Sequence, residues 1–214
     1  NGGSSTINGK LMNDIELKTV SSETNGGWIP IGYWDETASW AGKYFAGVFE
    51  GNNHTITLSS ITTETKYRST GIFGMVIGGE IYNLTAKGTN ASEVMTGGIV
   101  GAIKDGKIEK CENYCTIVAE IGIQRAGISG VADNSEINNC KNYANINGYS
   151  QVGGICGWIQ NNSKIDNCIN SGKIVVYGYE LVEWGEYKGN YGQSGGIVGI
   201  SYQGEITSCT NSGS

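Results

Sequence analysis

The sequence predicts an all-β fold: a right-handed parallel β-helix, built as a three-sided solenoid of about six to seven coils with ~24–29 residues in each. Three observations predict it. A Gly-flanked isoleucine recurs as Gly71-Ile72-Phe73-Gly74, Gly97-Gly98-Ile99-Val100-Gly101, Gly127-Ile128-Ser129-Gly130, Gly153-Gly154-Ile155-Cys156-Gly157 and Gly195-Gly196-Ile197-Val198-Gly199, at spacings of 27, 29, 27 and 42 residues. Behind each motif stands a second isoleucine (Ile81, Ile108, Ile137, Ile165, Ile206). It is followed by Leu84 or one of Cys111, Cys140, Cys168 and Cys209, and each of those cysteines by Asn113, Asn142, Asn170 or Asn211. Lastly, 35 glycines, the single Pro30 and 16% charged residues disfavour long exposed helices, while apolar residues spread through the chain disfavour disorder.

Residues 1–214 read as one solenoid domain, irregular over 1–69 and regular over 70–214, where five repeats are interrupted at 177–193. In the irregular part, Gly47-Val48-Phe49-Glu50-Gly51 is an earlier Gly-flanked motif and His54-Thr55-Ile56-Thr57-Leu58 alternates as a half-buried strand. Each regular unit holds three short apolar clusters, the last ending at Ile117, Ile146 or Ile174, separated by Gly, Asn, Asp and Ser. Such clusters are too short for helices and have the spacing of strands joined by turns. Stacked coils set equivalent residues ~4.8 Å apart, so each coil's backbone polar groups are satisfied by its neighbours. Burying the two isoleucine columns is worth roughly 15–30 kcal/mol before chain entropy opposes it. The motif glycines mark tight turns or closely approaching walls, and the asparagines suit left-handed corners or an amide ladder. The chain stops in mid-repeat at Ser214 and reads as a piece of a longer protein.

Six cysteines in a small chain would suggest disulfides, but four of them fill one slot of successive repeats. That placement predicts a ladder of buried free thiols. In-register stacking holds the Cβ atoms slightly beyond the ~3.5–4.5 Å a disulfide wants. Zinc is disfavoured, because the one histidine, His54, is remote and only Cys111 and Cys115 are closely spaced. No cofactor or metal is expected.

The irregular part carries a resemblance. Leu11-Met12-Asn13-Asp14-Ile15-Glu16-Leu17, Trp28-Ile29-Pro30-Ile31-Gly32, Phe45-Ala46-Gly47-Val48-Phe49-Glu50-Gly51-Asn52-Asn53-His54-Thr55-Ile56, and Gly71-Ile72-Phe73-Gly74 followed by Ile81-Tyr82-Asn83-Leu84 resemble the ordered landmarks of GLUG-motif proteins. Glu50 stands where that family usually has Asp, Asn53 where it has Gly, and isoleucine replaces the leucine of its "GLFG" element. The resemblance implies a β-helix within large secreted or wall-anchored bacterial proteins, often adhesin-like. It transfers no catalytic residues, and it places His54 at a turn or coil-packing position.

Function is expected where the repeat is broken, since solenoids tolerate insertions as projecting loops. One break spans 33–44 and carries Tyr33, Trp34, Trp40 and Tyr44; the other spans 177–193 and carries Tyr177, Tyr179, Trp184, Tyr187 and Tyr191. These aromatics either contact a sugar or a protein partner or fold back onto the solenoid wall. The expected function is a non-catalytic, adhesin-like module of the cell surface or extracellular space that binds a glycan or protein, or serves as a stalk. The competing class is a polysaccharide lyase or hydrolase, which needs paired carboxylates or a base with calcium-binding acids along one groove. Glu80, Lys107 and Glu205, with Glu136 and Asp166 in nearby slots, instead suggest a solvated wall of mixed charge. A net charge of −6 without a basic stripe disfavours nucleic acid, and no apolar run approaches the ~20 residues of a membrane helix.

Overall fold

Short β-branched clusters flanked by glycine and asparagine cannot satisfy their own backbone, and here each finds its partners one coil away. A computed structural model describes residues 6–17, 29–33, 43–61, 68–92, 95–118, 122–177 and 192–213. The regular coils pair strand on strand in parallel register, as Ile108 on Ile81, Ile137 on Ile108 and Ile165 on Ile137. The fold is the parallel β-solenoid that the repeats predict.

Each coil carries four strands rather than three. The first wall stacks Ser69–Thr70, Met95–Gly97, Ile123–Ala126, Ser150–Gly153 and Ser194–Gly195. The second stacks Phe73–Ile77, Val100–Lys104, Ser129–Asp133, Cys156–Gln160 and Val198–Tyr202. The third runs Gly9–Lys10, Val48–Glu50, Glu80–Tyr82, Lys107–Glu109, Glu136–Asn138, Lys164–Asp166 and Glu205–Thr207. The fourth holds Ile15–Leu17, Thr55–Ile61, Thr85–Asn90, Glu112–Ile117, Lys141–Asn142, Ile169–Asn170 and Thr210–Asn211, with Ile146–Gly148 and Ile174–Val176 beside it. The extra side is the first wall, whose polar residues leave no apolar cluster in the sequence. The coil count is also somewhat lower than expected. The first and second walls are five strands deep and enclose about four full turns, whereas the two coils before Ser69 supply named strands only to the third and fourth walls.

The core is the line of inward columns. Ile72, Ile99, Ile128 and Ile155 form one, Ile81, Ile108, Ile137 and Ile165 another, and Cys111, Cys140 and Cys168 a third. Ile197 and Cys209 are only partly buried, and Ile206 is 43% exposed, because no coil stacks beyond them in the structure. All six cysteines are free. Burial pushes the thiol pKa of Cys115 and Cys156 up to about 12 and that of Cys140 well above its usual value.

The asparagine column is an amide ladder as well as a turn device. Asn113 Nδ2 donates to Asn142 Oδ1 at 2.8 Å, Asn142 to Asn170 at 2.7 Å, and Asn170 to Asn211 at 2.7 Å. Each amide also clamps its own coil, donating to the carbonyl two residues on, at 3.0 Å for Cys115, 2.9 Å for Ala144 and 3.0 Å for Gly172. The glycine before each of the last four motif isoleucines makes room for this ladder. A Cβ at Gly98, Gly127, Gly154 or Gly196 would collide with the side chain of Asn113, Asn142, Asn170 or Asn211. The Gly-Ile and Cys-x-Asn signals are therefore two halves of one contact across the coil.

A different asparagine set turns the corners. Asn83, Asn139 and Asn167 adopt φ of 51°, 57° and 50°, at equivalent positions after the third wall. Asn tolerates this left-handed region through its short polar side chain.

Candidate functional site

The irregular part is locked to the regular coils by the landmark residues. Asp14 Oδ1 accepts the Thr55 N–H at 2.9 Å and lies 3.0 Å from His54 Nδ1, so the histidine is a coil-packing residue. The Thr55 amide, with help from His54, holds the Asp14 carboxyl below its usual pKa. Glu50 reaches further than an aspartate would, accepting the Asn52 N–H at 2.7 Å and Asn83 Nδ2 at 3.0 Å on the next coil. Asn53, with φ of 62°, fills a left-handed position that glycine would otherwise take. Both departures from the family pattern preserve the turn.

The first aromatic insertion leaves and rejoins the second wall. Ile31 bridges Phe73 and Phe45 bridges Val76, so residues fourteen apart in sequence occupy places three apart on the next coil. Its base is an antiparallel bridge in which the Tyr33 N–H donates to the Lys43 carbonyl at 2.7 Å. Lys43 Nζ lies 5.7 Å from the centre of the Tyr33 ring. Tyr33 and Tyr44 are half-buried there; Trp34 and Trp40 lie outside the described residues. Gly32 makes the close return possible, with φ of +68° and no room for a Cβ against the Met75 carbonyl.

Beside this base the outer face of the second wall carries one apolar column, next to a mostly polar one of Ile77, Lys104, Asp133, Gln160 and Tyr202. Met75, Ala102, Val131, Trp158 and Ile200 share one column, alternating with the inward Val76, Ile103, Ala132 and Ile159. An open depression on this face is lined by Met75, Ile77, Met95, Ala102, Val131 and the polar Asp133 and Gln160.

The second insertion arises elsewhere, at the corner between the fourth and first walls. Tyr177 N–H donates to the Gly148 carbonyl at 2.9 Å, and the chain returns where the Val152 N–H donates to the Gln193 carbonyl at 2.9 Å. Tyr177 is 52% exposed, its ring centre 6.0 Å from that of Tyr149. Tyr179, Trp184, Tyr187 and Tyr191 lie outside the described residues. The described members of the two insertions sit on different sides and several coils apart, so they do not form one site.

An aromatic pair also lies inside the regular coils, away from both interruptions. Tyr114 and Tyr143 stack face to face on the outside of the fourth wall, with ring centres 4.7 Å apart and planes 16° from parallel. They are 42% and 39% exposed, and Lys87 Nζ lies 5.8 Å from the Tyr114 ring centre. The signal was an Asn-Tyr dipeptide, Asn113-Tyr114 and Asn142-Tyr143, in successive repeats.

Several of the described carboxylates are engaged in ion pairs and turns. Glu80, Lys107, Glu136, Lys164 and Glu205 form one outward column of alternating sign on the third wall. Glu109 pairs with Lys107 at 2.7 Å, which lowers the acid's pKa and raises the amine's. Glu112 pairs with Lys141 at 3.3 Å, and Asp133 accepts Asn161 Nδ2 at 2.7 Å and Gln160 Nε2 at 3.1 Å. Among the described residues no three His, Cys, Asp or Glu side chains group as a metal site.

A scan of family models matches the GLUG motif at residues 148–175, which is one turn of the solenoid from the fourth wall's second segment back to its equivalent. The match covers one coil, and the neighbouring coils carry the same columns in register. No curated protein and no solved structure matches the chain.

Proposed function

We propose that this GLUG-repeat solenoid is a non-catalytic, adhesin-like module at the bacterial cell surface, where it presents a binding face to an extracellular glycan or protein. The observation that carries the reading is the outer face of the second wall. A sheet that faces water on one side should alternate apolar and polar residues, yet here Met75, Ala102, Val131, Trp158 and Ile200 continue one outward apolar column across five coils, of which Val131, Trp158 and Ile200 stay partly open to solvent while Met75 and Ala102 are buried. Tyr33, Lys43 and Tyr44 flank its N-terminal end. Aromatic and apolar side chains held on a rigid sheet give contact area at low entropy cost.

Catalysis is not proposed. A glycosidase needs two carboxyl groups flanking one bond, and the acids named above spend their oxygens on turns and ion pairs. The test uses the purified chain against immobilised matrix proteins and polysaccharides. Saturable binding that falls at least tenfold in Val131→Lys/Trp158→Ala, with the fold intact, is the expected result. Binding that is equal in the variant removes the second wall from the reading. Failure to bind anything on the panel leaves a mechanical stalk, and depolymerisation of a polysaccharide would replace the reading with the enzymatic one.

A further inference from the structure

The outer face of the fourth wall carries a stack of side chains that stops partway. One residue past the asparagine column, successive coils present Lys87, Tyr114, Tyr143, Ser171 and Ser212. The backbone continues the register, with the Tyr143 N–H donating to the Asn113 carbonyl at 2.9 Å, Ser171 to Asn142 at 2.8 Å and Ser212 to Asn170 at 2.8 Å. Lys87 covers one face of Tyr114, and Tyr143 covers the other. The far face of Tyr143 points along the stack to the next coil, where the residue is a serine. Two hydroxyls, Ser171 Oγ and Ser212 Oγ, lie 3.1 Å apart there. Ile169, on the strand, and the exposed Lys173, beyond its end, lie two residues to either side of Ser171.

The result is a notch two strands wide, ~10 Å along the stack, walled by one aromatic face and floored by hydroxyls. We infer that this notch is a glycan subsite, in which a pyranose ring stacks on Tyr143 where the next ring of the ladder would stand. The assignment rests on the reading of the chain as a binding module and adds a site and a ligand class to it.

The chemistry of the notch selects a sugar over an aromatic side chain. A pyranose has one face of C–H groups, which suits the electron-rich face of a phenol ring, and a rim of hydroxyls. That rim meets the Ser171 and Ser212 hydroxyl oxygens, which bond one another at 3.1 Å and, from Ser212, the Asn170 carbonyl at 3.4 Å but keep lone pairs that accept, and the Lys173 ammonium, which donates. An aromatic guest would offer these groups no partner and leave its own far face in water. The ring spacing already present, 4.7 Å between Tyr114 and Tyr143, shows that the strand separation accommodates stacked rings without distortion.

The test is a ¹⁵N-resolved NMR titration of the whole chain with three probes: methyl β-D-glucopyranoside, methyl β-D-galactopyranoside and methyl β-D-glucuronide. One stacked ring should bind at ~1 mM, and saturable shifts should centre on the amides of Ser171, Gly172 and Lys173. Tyr143→Ala should weaken binding at least tenfold. Ser171→Tyr should do the same by the opposite means, filling the notch with the missing ring while leaving Tyr143 and the fold in place. The inference is overturned if none of the probes shifts those amides at tenfold higher concentration, or if Ser171→Tyr binds as tightly as the parent chain. Saturable shifts on the second wall alone would overturn the subsite while leaving the binding-module reading intact. Silence here together with failure on the matrix panel would sink both.

Discussion

At the scale of single residues, the side chains that look chemically active are those the fold has used up. The six thiols illustrate this. Burial holds Cys115 and Cys156 at a pKa of about 12, and a thiol that is neither ionised nor accessible cannot attack a reagent. Cys209, on the outermost coil, is the one cysteine that is not fully enclosed. At pH 8 a thiol-reactive dye should therefore label Cys209 alone in the native protein and all six after unfolding; rapid native labelling of Cys111 or Cys140 would contradict the buried ladder. Asp14 shows the same logic in an exposed setting. Its folded pKa lies below the ordinary aspartate value of 3.8, chiefly because its carboxylate accepts the Thr55 amide. A depressed folded pKa gives stabilisation that is present above the unfolded value and lost as pH falls through the folded one. Hydrogen exchange at Thr55 should accordingly quicken as pH drops below 3.8, relative to the intrinsic rate, and Asp14→Ala should show the quicker exchange at every pH.

At the scale of elements, the asparagine ladder and the glycine column are one device, and the two should fail together. Asn142 accepts from Asn113, donates to Asn170 and to the Ala144 carbonyl, and its side chain occupies the space a Cβ on Gly127 would need. Replacing it by leucine leaves buried donors and acceptors of three coils short of a partner, at about 1–3 kcal/mol for each group orphaned. Gly127→Ala should destabilise the parent chain, but considerably less in an Asn142→Ala background, where the obstructing amide is gone. A double-mutant cycle by urea unfolding should read a coupling of at least ~1 kcal/mol; additive effects would dissociate the two columns. These columns were legible in the sequence because an inward position of a stacked coil admits few residue types, so identity repeats with the coil. The first wall was not legible. Its positions mix Ser69, Thr70, Thr96, Arg125, Ser150 and Val152, all buried, so no residue type or apolar pattern marks the strand. The Tyr114–Tyr143 stack was visible as a repeated Asn-Tyr, yet it lies on a regular wall and not in the interruptions where binding residues were sought. Of the nine aromatics expected at a site, Tyr33, Tyr44 and Tyr177 are placed, at the bases of their insertions, where backbone pairing with the walls still dictates position.

At the scale of the molecule, the solenoid is a one-dimensional stack in which each coil contacts only its neighbours, so stability depends on position along the axis more than on residue type. Ile137 and Ile206 make the comparison clean. They occupy the same column of the third wall, on successive rungs through Ile165, and belong to the same repeat position. Ile137 is fully enclosed between the coils of Ile108 and Ile165, whereas Ile206 has a coil on one side only and is 43% exposed. Truncating an enclosed isoleucine removes its transfer energy and leaves a cavity that the parallel strands on both sides cannot close, so Ile137→Ala should cost about 2–5 kcal/mol. The same truncation at Ile206 removes contacts on one side and leaves a dent that water can fill, so its cost should stay below ~1.5 kcal/mol. Equilibrium unfolding in urea measures both. A chain that unfolds as a single unit would still report this difference in its midpoint, because the two variants expose nearly the same surface on unfolding and share one slope. Equal losses at the two positions would mean that a further coil, or a second molecule, stacks on Ile206 in solution.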